Sequence, residues 1–206
     1  PCGRRGPLDG AILDALDSRP LAGGASFSLA NRLIRLLFAL AWLLLARWTP
    51  RQFNPVRVAL LRLFGARIAR GATVYGSARI WLPSNLVMAT GSTIGPAVEV
   101  YAMAEIALGE GAIVSQRAHL CAGTHDHRDP EFQLVARPIA IGPRAWVAAE
   151  AFVGPGVSVG EGAVLGARAC AFRDLEPWTV YSGNPAVAVG RRELQPAAGG
   201  ASASGA

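Results

Sequence analysis

A six-residue period governs the stretch from Ile141 to Ala171. Ile141, Val147, Val153, Val159, Leu165 and Ala171 fall six apart, and the first five are followed by Gly142, Ala148, Gly154, Gly160 and Gly166. Four residues after each of those five stands a second small or β-branched residue: Ala145, Ala151, Val157, Ala163 and Ala169. Six fits neither the helical period of about 3.6 nor strand alternation. It is the period of a chain that makes a short strand and then a corner, one hexad per face and three faces per coil: a parallel β-helix. Residues eighteen apart then stack at about 4.8 Å, with the aliphatic anchors pointing to the narrow axis. The glycine after an anchor is expected to supply the backbone freedom of a corner, and Pro155-Gly156 to make a turn.

Upstream the count is less even. Ile68, Val74, Ile80 and Leu86 continue it, with Ala72, Ala78 and Ser84 at the small positions. It resumes at Ile94, Val98 and Val100, then slips by two to Leu108, Val114 and Leu120, supported by Ala112 and Ala118. Such slips predict bulges at corners, where side chains are re-aimed. Between Cys121 and Ile139 the pattern stops for AGTHDHRDPEFQLVARP. This predicts a loop over 122–138, longer than a corner requires and so a candidate functional segment.

Ahead of the hexads, residues 1–26 mix Gly, Pro and charge and read as a loose arm. From Phe27 to Trp48, Leu29, Leu33, Leu36, Leu37, Leu40, Leu43 and Leu44 recur at helical spacing, and Ser28 is placed to cap the helix. The uncharged run from Leu36 to Ala46 is short of the roughly 20 residues a membrane span needs. The helix is therefore expected to pack on the β-helix or on a neighbouring subunit, while Arg32, Arg35 and Arg47 leave membrane-surface contact open. Pro50 and Pro55 interrupt the chain before a second apolar helix, Val56 to Phe64. The division is thus an arm (1–26), an apolar helical segment (27–66), the β-helix (67–194) and a tail (195–206) of mostly Ala, Gly and Ser that reads as disordered. Trp178 and Tyr181 are expected to cover the last open strand edge.

At 206 residues the chain has room for one domain with a real core. It carries no lysine, and its net charge of +6 rests on arginine alone. The arginines look scattered and no recognition motif accompanies them, which argues against nucleic acid as a partner. Cys2, Cys121 and Cys170 are odd in number and lack metal-ligand spacing, as expected in a reducing cytoplasm. His119, His125 and His127 crowd one turn and loop, and the well-separated ligand that a three-histidine zinc site needs is absent, so no metal site is expected.

The hexads, the run Thr124-His125-Asp126 in the extruded loop and the closing Ser182-Gly183-Asn184-Pro185-Ala186 coincide with the upstream runs LFGARI and IWLPSNL. Together they resemble the hexapeptide-repeat acyltransferases, most closely the colanic acid biosynthesis O-acetyltransferases, from about Ser28 to Arg192. The resemblance implies a left-handed β-helix, a cytoplasmic homotrimer with sites between neighbouring prisms, and acetyl-CoA lying along the groove. The implied reaction is acetyl transfer to a sugar hydroxyl in exopolysaccharide biosynthesis. An alcohol attacks a thioester poorly unless a base takes its proton, which a histidine can do near neutral pH. The resemblance assigns that role to His125. Asp126 either orients the imidazole or hydrogen-bonds turn amides, and His119 and His127 are expected to be structural or exposed.

Ala148 and Gly166, like Ala149 and Ala167, are eighteen apart and should stack. Spacing alone leaves this column as ordinary hexad packing; the resemblance makes it the wall along which the pantetheine arm lies. It also places Arg173 near the CoA phosphates. Val187 departs from the Arg or Lys usual after the NPA motif, leaving Arg191 or Arg192 to replace it. Glu99, Tyr101 and Met103 either face the acceptor or pack in core and corner. The fold itself also hosts other chemistry, so an amino sugar, an antibiotic or another small acceptor, or a non-catalytic scaffold, stays open.

Overall fold

The structure, a computed structural model, describes residues 12–194. The mainly β architecture is a left-handed parallel β-helix with three helices ahead of it. Its first face stacks Arg67–Ile68, Leu86–Met88, Ile106–Leu108, Ile139–Ile141 and Ser158–Val159. The second runs from Thr73–Val74 through Thr93–Ile94, Ile113–Val114, Trp146–Val147 and Val164–Leu165 to Thr179–Ser182. The third stacks Arg79–Ile80, Glu99–Tyr101, His119–Cys121, Phe152–Val153 and Cys170–Ala171. Inside, the anchors form dry columns: Val74, Ile94, Val114, Val147 and Leu165 are each fully buried on the second face. A buried aliphatic side chain of this size stabilises by about 1.5–3 kcal/mol, so the columns are the fold's main driving force.

Coil length falls along the chain, from twenty residues upstream of the hairpin to eighteen after it and sixteen in the last turn, where Val159 bridges Leu175 and Leu165 pairs with Tyr181. Upstream, Ile68 pairs with Met88, Ile94 with Val114 and Val100 with Leu120, a twenty-residue offset. Downstream, Ile141 pairs with Val159 and Val147 with Leu165, an offset of eighteen. The first-face anchor in the second coil is therefore Met88, not Leu86. Leu86 is also fully buried, stacked on Ile106 and then Ile139, because the corner from third to first face carries two extra residues and widens the core there. Ser84 correspondingly sits in the short helical turn Pro83–Asn85 and not at a small hexad position.

The glycines after the anchors serve close approach more than corner freedom. A Cβ at Gly142 would lie 2.7 Å from the Glu161 nitrogen of the next coil, so only glycine lets the coils pack this closely there. The left-handed corner positions fall elsewhere, at Gly71, Gly91, Gly111, Arg144, Gly162 and Trp178. Gly156, with φ +81°, does make the turn.

Helix α1 (Ala15–Ser18) lies within the stretch read as a loose arm. Residues 1–11 are outside the described residues, but from Ile12 the segment is ordered by a bridge from Ile12 to Phe27 and by burial of Ala15. The tail at 195–206 also lies outside the described residues. Helix α2 (Leu29–Leu45) is capped by the Ser28 hydroxyl, which accepts from the Asn31 amide. Its packed face is Asn31, Phe38 and Trp42 with half-buried Arg35, and the Trp42 indole donates to the Gly76 carbonyl at 3.1 Å. The leucine stripe points the other way: Leu33, Leu36, Leu37, Leu40 and Leu44 are 48–76% exposed. Packing onto this chain's β-helix thus falls to the aromatics, whose rings reach Phe64 and the corner glycine, and not to the leucines.

Helix α3 (Asn54–Leu63) closes the open end of the prism, with Pro55 in its first turn, where proline lacks no needed hydrogen bond. Asn54 bonds Ala72 and Val74 main-chain groups, and buried Arg57 donates to the Val74 carbonyl at 2.7 Å. At the far end Tyr181 stacks on Leu165, and the exposed edge is covered by the antiparallel strand Val187–Arg191. Trp178 lies instead at a corner, between the guanidinium groups of Arg144 and Arg192.

Candidate active site

The widened corner between third and first face carries the candidate site. Its three levels are stacked: Tyr101 lies beside Cys121 on the third face, and Asn85 donates to the carbonyls of Ala102 at 2.9 Å and Met103 at 3.2 Å. In the third coil the chain leaves this corner as a β-hairpin, Gly123–His125 paired antiparallel with Leu134–Ala136. Gly123 roots the hairpin, because a Cβ there would lie 2.1 Å from the Met103 sulfur.

His125 ends the first hairpin strand and is exposed. Its Nδ1 lies 2.7 Å from the Phe132 carbonyl. A carbonyl only accepts, so Nδ1 carries the proton and Nε2 keeps its lone pair, the tautomer a general base needs. The Asp126 carboxylate does not touch the imidazole. It accepts from the Arg128 amide at 3.0 Å, a turn-forming bond. The sequence offers no signal for the Phe132 carbonyl. Nor does it mark Gln133, whose side chain accepts from the Ala15 amide and donates to the Leu13 carbonyl, tying the segment before α2 to the hairpin.

Tyr101 is half-buried with its ring between Trp81 and His119, and burial pushes its phenol upward in pKa. Burial likewise raises the Cys121 thiol, partly offset by a hydrogen bond with the Gly123 main chain. Glu99 and Tyr101 line a cavity of about 420 Å³ between α2 and the third face, with Arg47, Arg79 and Trp81. Met103 is buried against Gly123 and takes the packing role. His119 stacks edge-on to Phe152, and His127 is exposed. Among the described residues no three His, Cys, Asp or Glu side chains cluster as metal ligands.

On the corner between second and third face, Ala148 stacks on Gly166 and Ala149 on Ala167, continuing the register of Val147 on Leu165. The Ala148 and Gly166 amides are used by the neighbouring coils. Those of Ala149 and Ala167 have no backbone partner among the described residues, so this small-residue column offers donors to an extended amide-bearing chain. Beside it Arg117 and Arg168 both bond Glu150, holding its carboxyl below the usual range. Arg173 is exposed at the turn after the last third-face strand. The Arg192 guanidinium donates to the Arg144 and Gly162 carbonyls, and Arg191 reaches Pro177 and Thr179, so both are already engaged.

No family model matches the chain. WcaF of Escherichia coli, named as a colanic acid biosynthesis acetyltransferase, is 39% identical over 145 residues, covering 70% of this chain and 80% of WcaF. A maltose O-acetyltransferase from Clostridium difficile 630 superposes with a TM-score of 0.72 at 18% identity, covering 81% of this chain and 90% of that one. The hexapeptide-repeat acetyltransferase VCA0836 of Vibrio cholerae, solved with acetyl-CoA, gives 0.67 at 17% identity over 81% and 91%. The structural likenesses establish the fold and the WcaF match establishes the kinship: this chain belongs to the hexapeptide-repeat acetyltransferases, in the family of the colanic acid biosynthesis enzymes.

Proposed function

We propose that the chain transfers acetyl from acetyl-CoA to a hydroxyl of a sugar used in exopolysaccharide biosynthesis, acting in the cytoplasm as a homotrimer. The observation that carries this is the pairing of His125 Nδ1 with the Phe132 carbonyl, which leaves Nε2 free to accept a proton. In the reaction Nε2 takes the acceptor hydroxyl's proton as the oxygen attacks the thioester carbonyl carbon. The carbon–sulfur bond then breaks, and the imidazolium returns its proton to the departing sulfur, giving an acetyl ester and free CoA. Asp126 supports the step by holding the hairpin turn.

For the donor, the amides of Ala149 and Ala167 suit the carbonyls of a pantetheine arm, while Ala148 and Gly166 keep the wall low enough for it to approach. Arg173 is free to meet the CoA phosphates. For the acceptor, Glu99 and Tyr101 supply a carboxylate and a phenol on the face from which the hairpin springs. A single prism gives an exposed His125 one wall only, which favours a site completed by a neighbouring subunit.

The test is a mass-shift screen of sugars and sugar nucleotides with acetyl-CoA, for the wild type and His125→Asn. Asparagine keeps an N–H where Nδ1 stands and removes the base. The expected outcome is acetylation of a saccharide hydroxyl by the wild type and a rate lower by about 10²–10⁴ in the variant, with the hairpin intact. Undiminished turnover by His125→Asn would end the reading.

A further inference from the structure

The outward face of α2 is not used by the fold. Leu33, Leu36, Leu37, Leu40 and Leu44 stand in solvent diametrically opposite the Phe38–Trp42 side that grips the prism, and Trp48 just beyond the helix is 78% exposed. A helix of this length extends about 25 Å, and a leucine stripe that long exceeds the scattered apolar exposure of an ordinary surface. The charge around it is one-sided. Residues 18–98 carry ten of the chain's arginines and no carboxylate, although Arg57 is buried, Arg67 pairs with Glu105, and Glu99 lines the cavity on the other side of the helix with Arg47. Arg32 and Arg47 border the stripe, exposed and outside every salt bridge among the described residues, and Arg47 stacks over Trp48.

From this we infer that α2 docks the enzyme flat on an anionic lipid bilayer. The leucines enter the boundary between headgroups and acyl chains, Trp48 sits at headgroup level, and the arginines meet lipid phosphates. No helix among the described residues is long and apolar enough to cross a membrane, so the contact is in-plane. The charge pattern favours lipid: Arg32 and Arg47 flank the leucines without a salt-bridge partner among the described residues, so both guanidinium groups can meet lipid phosphates while the stripe is buried. The docking is independent of the role given to His125, since membrane binding is read without turnover.

The test is flotation of the purified chain with vesicles of phosphatidylcholine alone or with about 30% phosphatidylglycerol, beside the native mass by light scattering. The wild type is expected to float with the anionic vesicles, to be released by raised salt, and to ignore the neutral ones. Leu37→Glu with Leu40→Glu, both on the exposed stripe, should cut binding at least ten-fold. Arg32→Glu, away from the cavity that holds Glu99 and Tyr101, should weaken binding roughly five-fold, the share of one arginine at such a surface. Native mass and acetyl transfer should stay unchanged in both variants. Wild type that stays at the bottom of the gradient, or binds neutral vesicles equally, overturns the inference. So does a leucine variant that floats normally but changes native mass, which would make the stripe a subunit contact.

Discussion

Replacing Arg57 by methionine tests how the prism's open end is closed. The Arg57 side chain is 1% exposed, yet among the described residues it has no acidic partner. Its guanidinium instead donates to the carbonyls of Val74 at 2.7 Å, Pro50 at 3.0 Å, Thr49 at 3.1 Å and Arg51 at 3.2 Å, and to the Thr49 hydroxyl. Burial pushes the group below its ordinary pKa, with Tyr75 acting weakly the other way, so the carbonyl cage does what a carboxylate usually does. Methionine keeps the stem and removes every donor. The Val74 carbonyl belongs to a fully buried residue and loses a charge-assisted bond worth about 1.5–3 kcal/mol. Those of Pro50 and Arg51 belong to exposed residues and pass to water at roughly 0.5 kcal/mol each. Relief from burying a charge offsets part of this, leaving a net loss of about 2–3 kcal/mol. With a urea slope near 2 kcal/mol/M, the unfolding midpoint should fall by about 1–1.5 M. Arg57→Lys should recover at most half, since a single ammonium cannot fork to acceptors on two sides. A methionine variant with the wild-type midpoint, or a lysine variant equal to arginine, would refute the reasoning.

Two further outcomes concern the site. Gln133→Ala unties the hairpin from Leu13 and Ala15 and should lower kcat roughly ten-fold while leaving the KM for acetyl-CoA within two-fold, because it shifts His125 and not the donor wall; steady-state kinetics separates the two. Glu150 has its folded pKa depressed by Arg168 and then Arg117, so its stabilisation is present above the unfolded value of about 4.3 and is lost as pH falls through the lower folded one. The melting temperature of Glu150→Gln should accordingly lie below wild type at pH 6 and the gap should narrow as pH is lowered toward 3, as thermal scans at both pH values will show.

The downstream coils were legible because Ile141 to Ala171 obey one rule without interruption, and their register follows it residue for residue. Upstream, a hexad count took Leu86 for the anchor because a corner widened by two residues buries both Leu86 and Met88, and apolar character alone does not rank them. The direction of α2 was illegible for a related reason. Its leucines form the more conspicuous stripe, but Trp42 finds a carbonyl for its indole only on the prism side. At the candidate site His125 could be singled out by its place in the excursion, whereas its partner is a main-chain carbonyl brought round by the hairpin, which no side-chain pattern encodes. The bond that Asp126 accepts from the Arg128 amide was one of two open options, and only the folded loop brings that amide within reach.

The change of coil length across the hairpin limits how such a chain can evolve. Duplicating or losing one turn preserves the stacking of its neighbours most simply when the segment has the local length, twenty residues before the hairpin, eighteen directly after it and sixteen at the last turn. A turn moved from one side to the other would carry two residues too many or too few for the girth of its neighbours. The prism can therefore grow or shrink toward either end, while the level that carries His125 stays a fixed seam.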